Sequence, residues 1–349
     1  MIRRHGPLAA LAMFAALAAA DASSDQDTAR AFLAATFGLT PGDFAKVDAG
    51  EVVARGTAAG DSRDIATLGI VRVKITPAFY VQRLADIATF KKYDAVLQIG
   101  VFGTPPAPGD VEGLTLDESD IRSLRDCRVG DCALQLPAES INRFRTEVDW
   151  SRADARQRAN GLIRQMLVDY VARYQRAGAG ASMSYADRSD VISVGREFMS
   201  LAGSDAGGWG RFRALRQHLF DYPASSAPEV RDLLYWSKEV VGRRTVASVT
   251  HLAILPGAPG SPAQFAVASK QIYGTHYFDA SLGLTVLVRD GSTPSPATYV
   301  AYLNRSRVDV LGGMFGGVAR KIIASKARGT VADNLGRLRT RLEADFRAH

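Results

Sequence analysis

The feature that most constrains the fold is the C-terminal third of the 349-residue chain. "TVASVTHLAIL", "AQFAVASKQIYGTHYF", "LGLTVLVRD" and "ATYVAYLNR" are four runs rich in β-branched and aromatic residues, separated only by "PGAPGSP", "DAS" and "GSTPSP". Such composition reads as strand. Connections this short cannot carry a parallel crossover, so the four predict an antiparallel meander. A basic segment follows in which Val308, Leu311, Phe315, Val318 and Ile322, then Val331, Leu335, Leu338 and Leu342, recur every three or four residues. That spacing predicts a long helix laid across the sheet.

The helix opens on "VLGGMFGGVARKIIASK", where Gly312 and Gly316, like Gly313 and Gly317, stand one turn apart on a shared face. Glycine costs ~1 kcal/mol in a helix interior relative to alanine. Two readings fit: the stripe makes room for a ligand beside Phe315, or it lets helix and sheet touch. A transmembrane glycine pair is excluded, because Asp309, Arg320 and Lys321 bracket too short an apolar stretch.

Upstream, "GEVVARGT" and "IATLGIVRVKI" predict a hairpin, and Thr76 and Pro77 supply the N-cap and first position of a helix over "PAFYVQRLADIATF". "AVLQIGVF" predicts a strand and "LDESDIRSL" a short helix whose acidic first turn suits the helix dipole. Between residues 151 and 240, "DARQRANGLIRQMLVDYVARYQR", "SDVISVGREFMSL", "WGRFRALRQHLF" and "APEVRDLLYWSKEV" predict helices. The resulting division is 1–22 as a leader, 23–150 and 241–349 as two parts of one α+β domain, and 151–240 as a helical insertion.

Residues 1–22 place Arg3 and Arg4 before an apolar run and small residues, the three-part pattern of a secretory signal. The expected location is therefore periplasmic or extracellular. In that compartment the two cysteines, Cys127 and Cys132, are expected to close a small disulfide loop; four intervening residues match neither a redox nor a haem-attachment motif.

The formal charge is +7, and loss of the leader with two Arg and one Asp leaves +6. Residues 305–349 alone carry ten Arg or Lys against four Asp or Glu. Two readings fit this asymmetry: Arg320, Lys321, Lys326 and Arg328 facing an anionic membrane surface, or a solvated helix face. An exported chain is not expected to meet nucleic acid.

The strand, cap and helix of "VRVKITPAFYVQRLADIATFKKY", with Val71, Val73, Thr76, Pro77, Leu84, Asp86 and Phe90, resemble the opening of START-like, Bet v 1-like and polyketide-cyclase-like domains. The terminal strands and long helix resemble their end, so the similarity covers about residues 50–103 and 241–330. It implies a helix-grip fold, a curved antiparallel sheet gripped by the last helix, and a cavity between them that holds a lipid or other hydrophobic small molecule. The helical insertion departs from that pattern.

No G-x-S-x-G, H-E-x-x-H, phosphate loop or dinucleotide loop is present, and no metal or cofactor is expected. His218 is expected on a helix face; His251 and His276 lie on strands, and a simple hairpin whose paired numbers sum to about 519 sets His251 near Ala268, away from His276. The richest polar run, "SKQIYGTHYFDA", offers Lys270, Tyr273 and His276 as ligand-facing groups. The primary expectation is a hydrophobic-ligand binder. The alternatives are a cavity-based cyclase or hydrolase-like enzyme using those three residues, and a protein-interaction role for the helical block.

Overall fold

The computed structural model describes residues 27–203, 206–225, 227–292, 294–312 and 316–349. The expected leader lies outside the described residues. After helices α1 (27–37) and α2 (Pro41–Asp48), strand β1 (Val53–Gly56) forms a hairpin with β2 (Asp64–Val73). Thr76 Oγ1 then accepts from Phe79 N at 3.1 Å and Pro77 opens α3 (Pro77–Ala85), as the sequence predicts. α4 (Ile87–Phe90) leads to β3 (Val96–Val101).

The helical segment between β3 and the next long strand contains α5 (Glu118–Asp126), α6 (Ala138–Glu147) and α7 (Ala155–Ala177). A two-stranded ribbon follows, β4 (Ser184–Tyr185) with β5 (Ile192–Ser193), and then α8 (Val194–Ala202) and α9 (Arg213–Asp221). The chain returns as β6 (Arg231–Val241), β7 (Arg244–Pro256), β8 (Ala263–Gly274), β9 (Phe278–Arg289) and β10 (Thr298–Val308), before the long helix α10 (Gly316–Arg347).

The eight long strands form one antiparallel sheet in the order β1-β2-β10-β9-β8-β7-β6-β3. The meander thus brings the last strand beside β2, while α3 and α4 carry the chain to the far edge. Bulges at Val249/Thr250, Ala263/Phe265 and Arg307/Val308 bend the strands and supply curvature. The fold is α+β, a curved antiparallel sheet crossed by a C-terminal helix, and it is compatible with a helix grip.

Two points differ from the sequence reading. "APEVRDLLYWSKEV" contains β6 rather than a helix. Both faces of β6 are covered over much of its length, so apolar side chains stand on each face and the alternation that marks a half-buried strand is lost. α6 (Ala138–Glu147) is also absent from that reading, whereas α5 falls where "LDESDIRSL" predicts a short helix.

The sheet is buried on both sides. On one face, Leu282, Leu284, Val286 and Val288 of β9 pack with Ala266 and Ala268 of β8 and Leu303 of β10 beneath α1, α8 and α9. Full burial of such a side chain contributes about 1.5–3 kcal/mol. On the other face, Val71, Leu252, Val267, Leu287 and Val300 meet Val331, Leu335 and Leu342 of α10 together with Phe79, Tyr80 and Leu84 of α3. Close contact is permitted by a glycine on the sheet: a Cβ at Gly69 of β2 would meet Val331 Cγ1 at 2.5 Å and Leu335 Cδ1 at 2.6 Å.

Cys127 and Cys132 are joined as expected, with Cα atoms 4.4 Å apart. The acidic turn of α5 does more than suit a dipole. Asp117 accepts from Thr245 at 2.6 Å and pairs with Lys238 at 2.5 Å, tying the inserted helices to the sheet.

Candidate functional site

Between α10 and the sheet the two layers separate and leave a cavity of about 410 Å³. The strands contribute Tyr235, Leu252, Val267, Ser269, Thr285, Val300 and Tyr302 as its floor. Strand pleating explains this set: alternate residues of β7 to β10 face α10, and their sequence neighbours face the inserted helices. α3 and α4 form one wall with Tyr80, Leu84, Ile87 and Phe90, and α10 the opposite one with Val331, Leu335 and Leu338.

The polar groups are concentrated where α4 ends and α10 passes. Lys92, Asn334 and Arg337 line the cavity there and are exposed to solvent. Arg341 donates to the carbonyl of Lys92 at 3.0 Å and to that of Phe90, and so ties α10 to this end of the cavity. Deeper, Lys91 Nζ is 2.6 Å from Glu239 Oε1, and Tyr93 donates to Glu239 Oε2 at 3.0 Å.

Burial works against the Lys91 charge, but Tyr235, Glu239 and Tyr93 outweigh it and hold the ammonium above the usual lysine range. Burial likewise opposes the Glu239 carboxylate, and Lys91 with Ser237 and Tyr93 keeps it below its ordinary value. The cavity therefore has an apolar body, a neutralised internal ion pair and a cationic rim.

The residues singled out in the sequence lie elsewhere. Lys270 points to the opposite face, its Nζ 3.4 Å from the Leu219 carbonyl and 4.0 Å from the centre of the Phe198 ring. Desolvation there lowers its pKa to about 8. Tyr273 is buried edge-on to Tyr185, and His276 Nε2 is 3.1 Å from Asp120 Oδ1 of α5. None of the three lines the cavity; within "SKQIYGTHYFDA" only Ser269 does.

Of the glycine stripe, residues 313–315, which include Gly313 and Phe315, lie outside the described residues. Gly312 ends a 3-10 turn and Gly316 begins α10. A Cβ at Gly317 would meet nothing within 4 Å, so helix and sheet do not touch at that position. Among the basic residues, Lys321 and Lys326 are exposed, whereas Arg320 donates to the Asp61 and Ser62 carbonyls and Arg328 is half-buried.

A second polar cluster lies on the insertion face and was not anticipated. The paired numbers of β7 and β8 sum to 521 around His251, so His251 stands opposite Lys270 rather than beside Ala268. His251 Nε2 is 2.7 Å from Asp232 Oδ1 of β6, and His218 Nε2 of α9 is 2.8 Å from the same oxygen. Tyr174 of α7 bonds His251 Nδ1 at 2.9 Å, and Ser225 bonds His218 Nδ1 at 2.7 Å. Burial, outweighing the bond and charge of Asp232, lowers the pKa of His251. Burial would raise the Asp232 carboxyl, yet the bonds from His251 and His218 hold it below the usual range. The missed signal is Asp232, which falls in the segment the periodicity assigns to a helix.

Comparison of the sequence with protein-family models and with curated proteins finds no match.

Proposed function

We propose that this chain is an exported binding protein that holds one amphipathic molecule, an apolar chain with an anionic end, between the sheet and α10. The observation that carries this reading is the cavity itself. Its volume, about 410 Å³, falls within the roughly 300–1,000 Å³ range of small-molecule pockets. Its floor is largely apolar, and Lys92 and Arg337 stand at the rim.

An apolar chain buried there gains about 0.8 kcal/mol per CH₂, while a carboxylate or phosphate left at the rim keeps its hydration and meets two cations. The internal Lys91 charge is already matched by Glu239, which favours neutral groups in the deep part. The Arg3, Arg4 and apolar leader pattern and the Cys127–Cys132 bond support an oxidising compartment. Among the described residues no helix is long and apolar enough to cross a membrane. Exposed Val318 and Ile322 beside Lys321 support contact of the start of α10 with an anionic lipid surface. Lys270, Tyr273 and His276 line no part of this cavity, which removes the support for an enzyme using them there.

The test is organic extraction of protein purified from a bacterial host, followed by mass spectrometry, and titration of stripped protein with a fluorescent fatty-acid analogue. Expected are one displaceable ligand per chain and weaker binding in Arg337→Glu. An empty extract together with non-saturable binding of the analogue would overturn the proposal.

A further inference from the structure

The structure assigns a transition-metal site to His218, Asp232 and His251, on the face of the sheet opposite the cavity. The three side chains come from α9, β6 and β7, and one ligand atom from each lies within 4.8 Å of the other two. Two imidazoles and a carboxylate suit Zn²⁺ and its first-row neighbours rather than Ca²⁺ or Mg²⁺, which prefer all-oxygen shells.

Three features distinguish this cluster from a chance ion pair. First, both Nε2 atoms converge on a single carboxylate oxygen, at 2.7 and 2.8 Å. Tetrahedral Zn²⁺ with bonds of about 2.0–2.1 Å needs ligand atoms about 3.3 Å apart, so the two His–Asp separations need to open by about half an ångström, while all three ligand atoms already lie within 4.8 Å of one another. Second, both Nδ1 atoms already have hydroxyl partners, Tyr174 and Ser225. Hydroxyls donate or accept by rotation. With no metal, each Nε2–H donates to Asp232 and each Nδ1 accepts from its hydroxyl. With metal, each ring carries its proton on Nδ1, donates it to the hydroxyl, and turns a free Nε2 lone pair to the ion. The exchange of tautomers moves one proton within each ring, and the outer hydroxyls fix the orientation that metal-binding histidines require. Third, the histidines are buried while Asp232 reaches solvent, with a side chain 26% exposed, beside the half-buried Tyr222 ring. That side gives the ion a route in and leaves a coordination position for water.

The experiment uses the mature protein, stripped with a chelator and dialysed against micromolar Zn²⁺. Elemental analysis is expected to give one Zn²⁺ per chain, unaffected by excess Mg²⁺ or Ca²⁺. Asp232→Asn and His218→Gln should weaken binding about 100-fold or more, and Tyr174→Phe about 10-fold. Nitrogen-15 NMR of the histidine rings provides a readout independent of any variant. Addition of Zn²⁺ should convert two of them from the Nε2–H to the Nδ1–H tautomer. Substoichiometric Zn²⁺, retention of full affinity by folded Asp232→Asn and His218→Gln, or unchanged histidine tautomers would each overturn the assignment.

Discussion

Enlarging a side chain in a packed interior and enlarging one in a void have opposite signs, and the two faces of this sheet offer both cases. Val267 is 4% exposed and lines the cavity, whereas Leu284 is fully buried on the insertion face against Ala268 and Leu303. Val267→Phe adds four carbons, worth up to about 3 kcal/mol at ~0.8 kcal/mol per carbon buried. Fixing the larger side chain returns about 1 kcal/mol of that, leaving a stabilisation of about 1–2 kcal/mol in ligand-free protein. Leu284→Phe has no such space and should destabilise by about 1–3 kcal/mol. Urea denaturation of both delipidated variants, with the disulfide intact, measures the difference, about 3 kcal/mol between them. Val267→Phe should also abolish binding of the fluorescent fatty-acid analogue. If Val267→Phe destabilises as much as Leu284→Phe, the helix-side space is packed, and the argument from the cavity fails.

Glu239→Gln leaves Lys91 without its counter-charge. With both side chains about one-fifth exposed, the loss should be about 2 kcal/mol, below the 3–5 kcal/mol of a fully buried pair. The native Glu239 carboxyl titrates below its ordinary value. Its contribution is therefore present above about pH 4.5 and lost as pH falls through the native pKa, so the gap between wild type and Glu239→Gln in urea melts should narrow in acid. Replacing Cys127 and Cys132 with serine should cost at most about 2 kcal/mol in the same assay, because the bridge spans only five positions of sequence.

Much of the architecture is legible in the sequence for local reasons. The Thr76-Pro77 cap, the short turns of the β7-to-β10 meander and the three-to-four spacing of Val331, Leu335, Leu338 and Leu342 each fix an element without reference to the rest of the chain. What escapes depends on non-local contacts. β6 is met by Lys91 and Tyr93, which follow α4, on one side and by the inserted helices on the other, and this long-range burial erases its alternation. The register of β7 against β8 is set by the loop at residues 257–262 and the bulge at Val249/Thr250. A shift of two leaves every side chain on its face but changes every partner, so His251 gains Lys270 opposite it. His218, a single histidine on α9, acquires meaning only when α9 packs over the sheet and brings it to Asp232. A cavity does lie between the sheet and the last helix, while Lys270, Tyr273 and His276 fall on the reverse side, because alternation along a strand does not say which of its faces meets α10.

The pleat that separates these faces is also a mechanical partition. Leu252 lies in the cavity floor and His251 in the polar cluster, as consecutive residues of β7; Ser269 and Lys270 stand in the same relation on β8. Only the strand backbone separates the cavity from the cluster. A backbone displacement at these strands therefore moves side chains on both faces at once, those of the cavity floor and those of the His218–Asp232–His251 cluster.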